Sequence, residues 1–110
     1  MDIREYKKIS NLIRDNDIYK VYDLPTLQNL TLSLTELQTG KSTTGHSHAD
    51  ADEVYIFISG TGSIDIDTDN QKVKDGDVIL VPRGKFHKVH NEGSETFSFW
   101  TVFEKYGERK

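Results

Sequence analysis

With 110 residues, the chain has room for one hydrophobic core, so residues 1–110 are expected to form a single domain without a separate regulatory unit. A net charge of −4 and the lack of a basic stripe interleaved with aromatics argue against a nucleic-acid partner, and the absence of cysteine excludes disulfides and thiolate metal sites. No apolar stretch approaches bilayer length and the N-terminus shows no leader pattern, so no membrane partner is expected and a cytoplasmic home is.

Ile3, Tyr6, Ile9, Leu12 and Ile13 recur at intervals of three and four, which predicts a short amphipathic helix from Ile3 to Ile13 that covers an open end of the domain. Asp15-Asn16-Asp17 marks a turn, and Ile18 to Tyr22 forms a first short strand that stops before Pro25. Leu30 to Glu36 alternates cleanly. Its leucines are expected to face a core and its threonines and serine to face out, with Glu36 and Gln38 on the leucine side. Asn29-Leu30-Thr31 fits a glycosylation pattern that carries no weight without a secretion signal.

The stretch from Gly40 to Gly60 holds the chemistry. His46 and His48 lie one residue apart, so in an extended segment both imidazoles point the same way and can reach one ion. Glu53 follows a short turn at the head of an apolar strand, Val54 to Ser59, and can return a carboxylate to the same point. Gly60-Thr61-Gly62 then predicts a hairpin into Ser63 to Asp67; it lacks the third glycine and the following helix of a dinucleotide loop. Asp69-Asn70 suits a two-residue turn, Gln71 to Lys74 a short strand, and Asp75-Gly76 another turn into Asp77 to Val81, which Pro82 ends. Phe86 to Asn91 and Phe97 to Phe103 complete eight or nine short strands, the pattern of an all-β sandwich or barrel, before a charged tail from Glu104 to Lys110. His87 is expected to complete the ligand set, whereas His90, out of phase with it, faces away as a surface residue.

These two stretches resemble the two motifs of the cupin superfamily. Gly40, His46, His48, Glu53 and Gly60 fit the first at residues 40–60; Gly76, Pro82, Gly84, His87 and Asn91 fit the second at residues 76–91. The resemblance implies a cupin-type double-stranded β-helix, or jelly-roll barrel, often dimeric, with a divalent metal on His46, His48, Glu53 and His87. The residues agree on their own terms. Three imidazoles and one carboxylate suit iron, manganese, nickel, zinc, cobalt or copper, and suit calcium and magnesium poorly. The glycines, Pro82 and Asn91 read as turn formers and hydrogen-bonding residues rather than site residues.

Strand parity turns Tyr55 and Phe57 inward beside Glu53, and Val54, Ile56 and Ile58 outward. The outward apolar face needs cover, from the N-terminal helix or from a second subunit, so a homodimer is expected. His87 and Val89 face in, as does one of the two faces of the last strand, giving an aromatic and mostly uncharged cavity. Tyr55 is the candidate proton-transfer residue, since a phenol two residues after a metal-binding Glu can reach a bound substrate; in the cupin lyases that cleave dimethylsulfoniopropionate a tyrosine at the corresponding position is implicated in proton abstraction. Phe57, Glu36 and Gln38 are candidate substrate-pocket residues, and Lys41, Arg83 and Lys85 are rim charges. Parity identifies no inward Arg or Lys, which argues against a phosphorylated substrate. The functional expectation is a metalloenzyme acting on a small oxygen-bearing molecule by isomerase, lyase or dioxygenase chemistry; the alternatives are a non-catalytic binding or sensing module and a domain in which the metal only pins strands.

Overall fold

The computed structural model describes residues 1–49 and 51–104; the tail from 105 to 110 and Asp50 of the turn before Glu53 lie outside the described residues. A helix α1 (Ile3–Ile9) is followed by nine strands: β1 (Asn11–Asp15), β2 (Tyr19–Leu24), β3 (Leu30–Leu37), β4 (Glu53–Ser59), β5 (Thr61–Ile66), β6 (Asp69–Lys74), β7 (Val78–Val81), β8 (His87–Asn91) and β9 (Phe97–Glu104). They form a six-stranded antiparallel sheet in the order β1-β2-β3-β9-β4-β7 and a three-stranded sheet in the order β6-β5-β8. Among the described residues no helix is long and apolar enough to cross a membrane.

The helix is shorter than its apolar spacing predicts. Asp2 caps it by accepting the N–H groups of Arg4 and Glu5, and at Ser10 the backbone becomes extended and leads directly into β1. Of the spaced apolar residues only Tyr6 is buried; Ile9 and Leu12 are 57% and 47% exposed, so continuing the helix would bury nothing, whereas β1 gains a ladder with β2. Tyr6 anchors the helix over the large sheet: its hydroxyl donates within reach of the Tyr22 and Leu32 carbonyls (2.7 and 2.6 Å), and its ring packs edge-on against Trp100.

Three further expectations are corrected. On β3 the inner face carries Thr31, Ser33, Thr35 and Leu37, all buried, while Leu32 and Leu34 lie on the outer face opposite Val102 and Trp100. Both faces of this strand are covered, so its alternation separates two interiors rather than inside from outside. Secondly, β4 and β5 do not form a hairpin. They belong to different sheets, and Gly60, at φ +100°, takes the chain between them where a Cβ would come within 3.0 Å of the Phe97 backbone. Thirdly, the β5–β6 hairpin turns two residues earlier than predicted, at Asp67-Thr68, with Asp67 at φ 52°.

Parity holds on the remaining strands: Glu53, Tyr55 and Phe57 are buried, and Val54, Ile56 and Ile58 lie on the other face. On β9, Phe97, Phe99, Thr101 and Phe103 face in. Between the sheets, Phe57, Phe97, Phe99, Ile64, Val89 and Leu37 pack as a fully buried core, with Phe57 and Phe97 stacked at 5.0 Å. This aromatic floor closes one end of the barrel. The other end stays open, and the histidines lie there.

Candidate metal centre

The two motif segments meet across an isolated antiparallel bridge in which His46 N–H donates to the His87 carbonyl (3.2 Å) and His87 N–H to the His46 carbonyl (2.9 Å). A third backbone bond, Gly84 N–H to the His48 carbonyl at 2.7 Å, ties the loop before β8 to the same segment. Phe86 lies over Gly45, where any side chain would collide with its ring. Two distant segments therefore present three imidazoles to one point, and β4, paired to β7 and β9 at Glu53, supplies the carboxylate.

His46, His48, Glu53 and His87 place one ligand atom each within 4.8 Å of one another. Glu53 Oε2 lies 2.7 Å from His87 Nε2, and Glu53 Oε1 lies 3.9 Å from His48 Nε2. Although close, Glu53 Oε2 and His87 Nε2 are not aligned as a hydrogen bond, and among the described residues these two fully buried atoms have no hydrogen-bond partner. Buried polar atoms are rarely left so, and the pair is spaced as two donors on one ion would be. The residues thus fit a divalent transition metal. The Lys85 carbonyl, 3.1 Å from His87 Nδ1, can only accept; the proton therefore sits on Nδ1 and the Nε2 lone pair faces the cluster when the ring is neutral.

Burial works against ionisation of Glu53, but the contact and charge of His87, aided by His46 and His48, outweigh it and hold the carboxyl below its ordinary value. Burial likewise works against charging His87, and Glu53 outweighs it, so that imidazole is raised above its ordinary value. A metal ion would hold both groups in their deprotonated, ligating forms.

A cavity of about 510 Å³ opens onto the cluster, with His46, His48 and Glu53 in its wall. Tyr55 and Phe99 form its inner side, Tyr19 and Val21 of β2 a flank, and the hydroxyls of Thr35, Thr43, Thr44 and Thr101 line much of the rest. The Tyr55 ring lies 5.8 Å from that of His87. Phe57 is not in the wall; it is fully buried in the floor beneath Tyr55. Glu36 and Gln38 are not there either. They line a separate shallow groove on the outer face, where Glu36 forms an ion pair with Lys7 at 2.8 Å.

The cavity is more polar than the sequence suggested, and it contains a cation. Arg14, with Ile13, lines it from β1, the segment read as helix. Thr35 of β3 escaped the sequence reading because that strand's faces are the reverse of those its alternation suggests. Among the rim charges, Arg83 pairs with Asp52 and Glu104, and Lys85 with Asp67. His90 does face away from His87, but it is not a bare surface residue: Ser42 Oγ and Asp65 Oδ2 each lie 2.7 Å from its ring nitrogens, and together they fasten the loop before His46 to the small sheet. Asn91 is buried and donates to the Leu37 and Glu95 carbonyls, a structural role.

The family model described as the cupin domain matches residues 33–103, a span that includes every ligand of the cluster. The chain is a cupin. No curated protein matches this cupin closely enough in sequence to count as a relative. Among solved structures it is similar to a Cupin 2 conserved barrel domain protein from Salinispora arenicola, at 28% identity and TM-score 0.76 over 96% of this chain and 89% of that one. It is also similar to an uncharacterized conserved protein with a double-stranded β-helix domain from Klebsiella pneumoniae (19% identity, TM-score 0.80, 94% and 87% covered). A third similar structure is KdgF from Halomonas sp. (12% identity, TM-score 0.78, 89% and 88% covered). At such identities the last two bear on the fold alone.

Proposed function

We propose that this cupin is a metalloenzyme in which His46, His48, Glu53 and His87 hold one divalent transition metal and a small oxygen-bearing substrate enters the cavity beside it. The observation that carries this reading is the position of the cavity, which has three of the four ligands in its wall and is large enough for a small molecule. A bound divalent ion would act there as a Lewis acid on a substrate oxygen. The protein's own groups have separate tasks. His87, the most buried imidazole, is fixed by the Lys85 carbonyl and anchors the centre from behind. The aromatic floor of Phe57, Phe97 and Phe99 excludes water from below. The threonine hydroxyls offer donors and acceptors that orient a polar substrate, and Tyr55 is the group proposed to move a proton. Isomerase, lyase and dioxygenase chemistry all suit this arrangement.

The same reading includes a homodimer. Val78 and Leu80 of β7 are 56% and 70% exposed, and they extend the outward row of Val54, Ile56 and Val102 into an apolar face that α1 does not cover. A second copy is the cover proposed.

Cobalt(II)-loaded protein titrated with azide distinguishes an enzyme from a closed site. A change in the visible cobalt bands, saturating with azide, is the expected result, because an open coordination position accepts the anion. Cobalt bands that stay unchanged would contradict the enzyme reading and favour a metal that only pins the strands.

A further inference from the structure

We infer that the substrate is a small organic carboxylate, and that Arg14 is the residue that holds its carboxylate group in the cavity that the histidine cluster also lines. The inference rests on the metalloenzyme reading above and adds to it a substrate class and a specificity residue.

The argument starts from the register of β1 on β2. Asn11 pairs with Asp23 and Leu12 with Tyr22, but the next pairs are Arg14 with Val21 and Asp15 with Lys20. Ile13 is therefore an extra residue, a β-bulge. In an unbulged ladder Arg14 would stand opposite Lys20, whose side chain is exposed, and would point to solvent. With the bulge it stands opposite Val21, which is 3% exposed and lines the cavity. Directly paired residues share a sheet face, so a single inserted residue turns the guanidinium inward.

Among the described residues the guanidinium meets no counter-ion. Its hydrogen bond within the chain goes to the carbonyl of its neighbour Ile13, at 3.0 Å, and none of the ion pairs among the described residues includes it. A half-buried guanidinium carries five donors and a permanent charge, and such groups are ordinarily matched by an anion. The cavity's remaining polar groups, apart from the metal-binding set, are the neutral hydroxyls of threonine and tyrosine. Three neutral imidazoles and one carboxylate would leave a divalent ion with residual positive charge, and Arg14 adds another, so the loaded cavity would be positive from two sources. The substrate that matches it carries an oxygen donor for the metal and an anion for the guanidinium fork. A carboxylate fits one guanidinium fork, and among the described residues no second Arg or Lys lines this wall to meet the larger charge of a phosphate dianion.

The experiment uses zinc-loaded wild-type protein and its Arg14→Gln and Arg14→Lys variants, with zinc content measured first. Malonate, succinate and glutarate are titrated calorimetrically, with acetate as the one-carboxylate control and glycerol phosphate as the phosphate arm. At least one diacid is expected to bind wild type more tightly than acetate does, and to bind Arg14→Gln about ten- to a hundredfold more weakly, as the loss of a charge-assisted hydrogen-bond pair implies. Zinc content should be unchanged, acetate should lose less affinity than the diacid does, and Arg14→Lys should be intermediate. Equal diacid affinity in wild type and Arg14→Gln, or no diacid tighter than acetate, would overturn the role of Arg14 while leaving the metal centre standing. Glycerol phosphate binding more tightly than every diacid would overturn the carboxylate assignment. If wild-type protein takes up no zinc, the metal reading fails and the joint role of metal and Arg14 fails with it.

Discussion

Replacing Glu53 by Gln in metal-free protein tests the electrostatics of the cluster through the pH dependence of stability. Glu53 is 3% exposed and 2.7 Å from His87 Nε2. Its carboxyl is depressed, so its contribution is present above the unfolded value of about 4.3 and is lost as pH falls through the lower folded value. His87 is raised, so the same contact contributes fully below about 6.5 and fades as pH rises through the higher folded value. The contribution is therefore fully present between the unfolded values, roughly pH 4.3–6.5, and the folded pair stays charged beyond both ends of that range. A charge-assisted contact contributes about 1.5–3 kcal/mol, and Gln removes the charge while keeping the volume. At about 4–8 °C per kcal/mol, the variant should melt about 6–24 °C below wild type at pH 5.5. The gap should narrow clearly at pH 8.5. Thermal melts followed by circular dichroism, in chelator, at the two pH values measure it; a gap equal at both pH values, or absent at pH 5.5, would refute the reasoning.

Tyr6→Phe removes a hydroxyl that serves both the Tyr22 and Leu32 carbonyls, and is expected to cost about 1–3 kcal/mol in denaturant unfolding; a loss under about 0.5 kcal/mol would mean α1 is held by packing alone. Leu80→Glu places a charge in the exposed apolar face of β7 and should convert the proposed dimer to monomer by light scattering, whereas an unchanged mass would move the interface elsewhere. Tyr55→Phe should retain bound metal and lower turnover of an identified substrate by about 10²–10⁴, the usual range for lost proton transfer; unchanged turnover would reduce Tyr55 to cavity wall.

The legible parts of this molecule are those set by local spacing. His-x-His on an extended segment, Glu53 at the head of an apolar strand and His87 after Pro82 each declare their direction within a few residues, and the chain brings all four together. What escaped depends on partners far away in the chain. Leu12 and Ile13 carry helical spacing, yet β2 claims their backbone for a strand. The bulge at Ile13, which decides where Arg14 points, leaves no mark in composition. The leucines of β3 read as core-facing because nothing in that strand reveals that α1 and Trp100 cover its other side. Gly60 announces a sharp turn, but whether the turn pairs β4 with β5 or hands the chain to the second sheet is settled by the partners β4 finds in β7 and β9.

The central claim is the metal centre, and elemental mass spectrometry on protein purified without added metal or chelator tests it most directly, with His48→Ala as the control. The account predicts about one equivalent of a divalent transition metal per chain in wild type, lost in the variant. No metal in wild type, together with no rise in melting temperature on adding divalent ions, would contradict it.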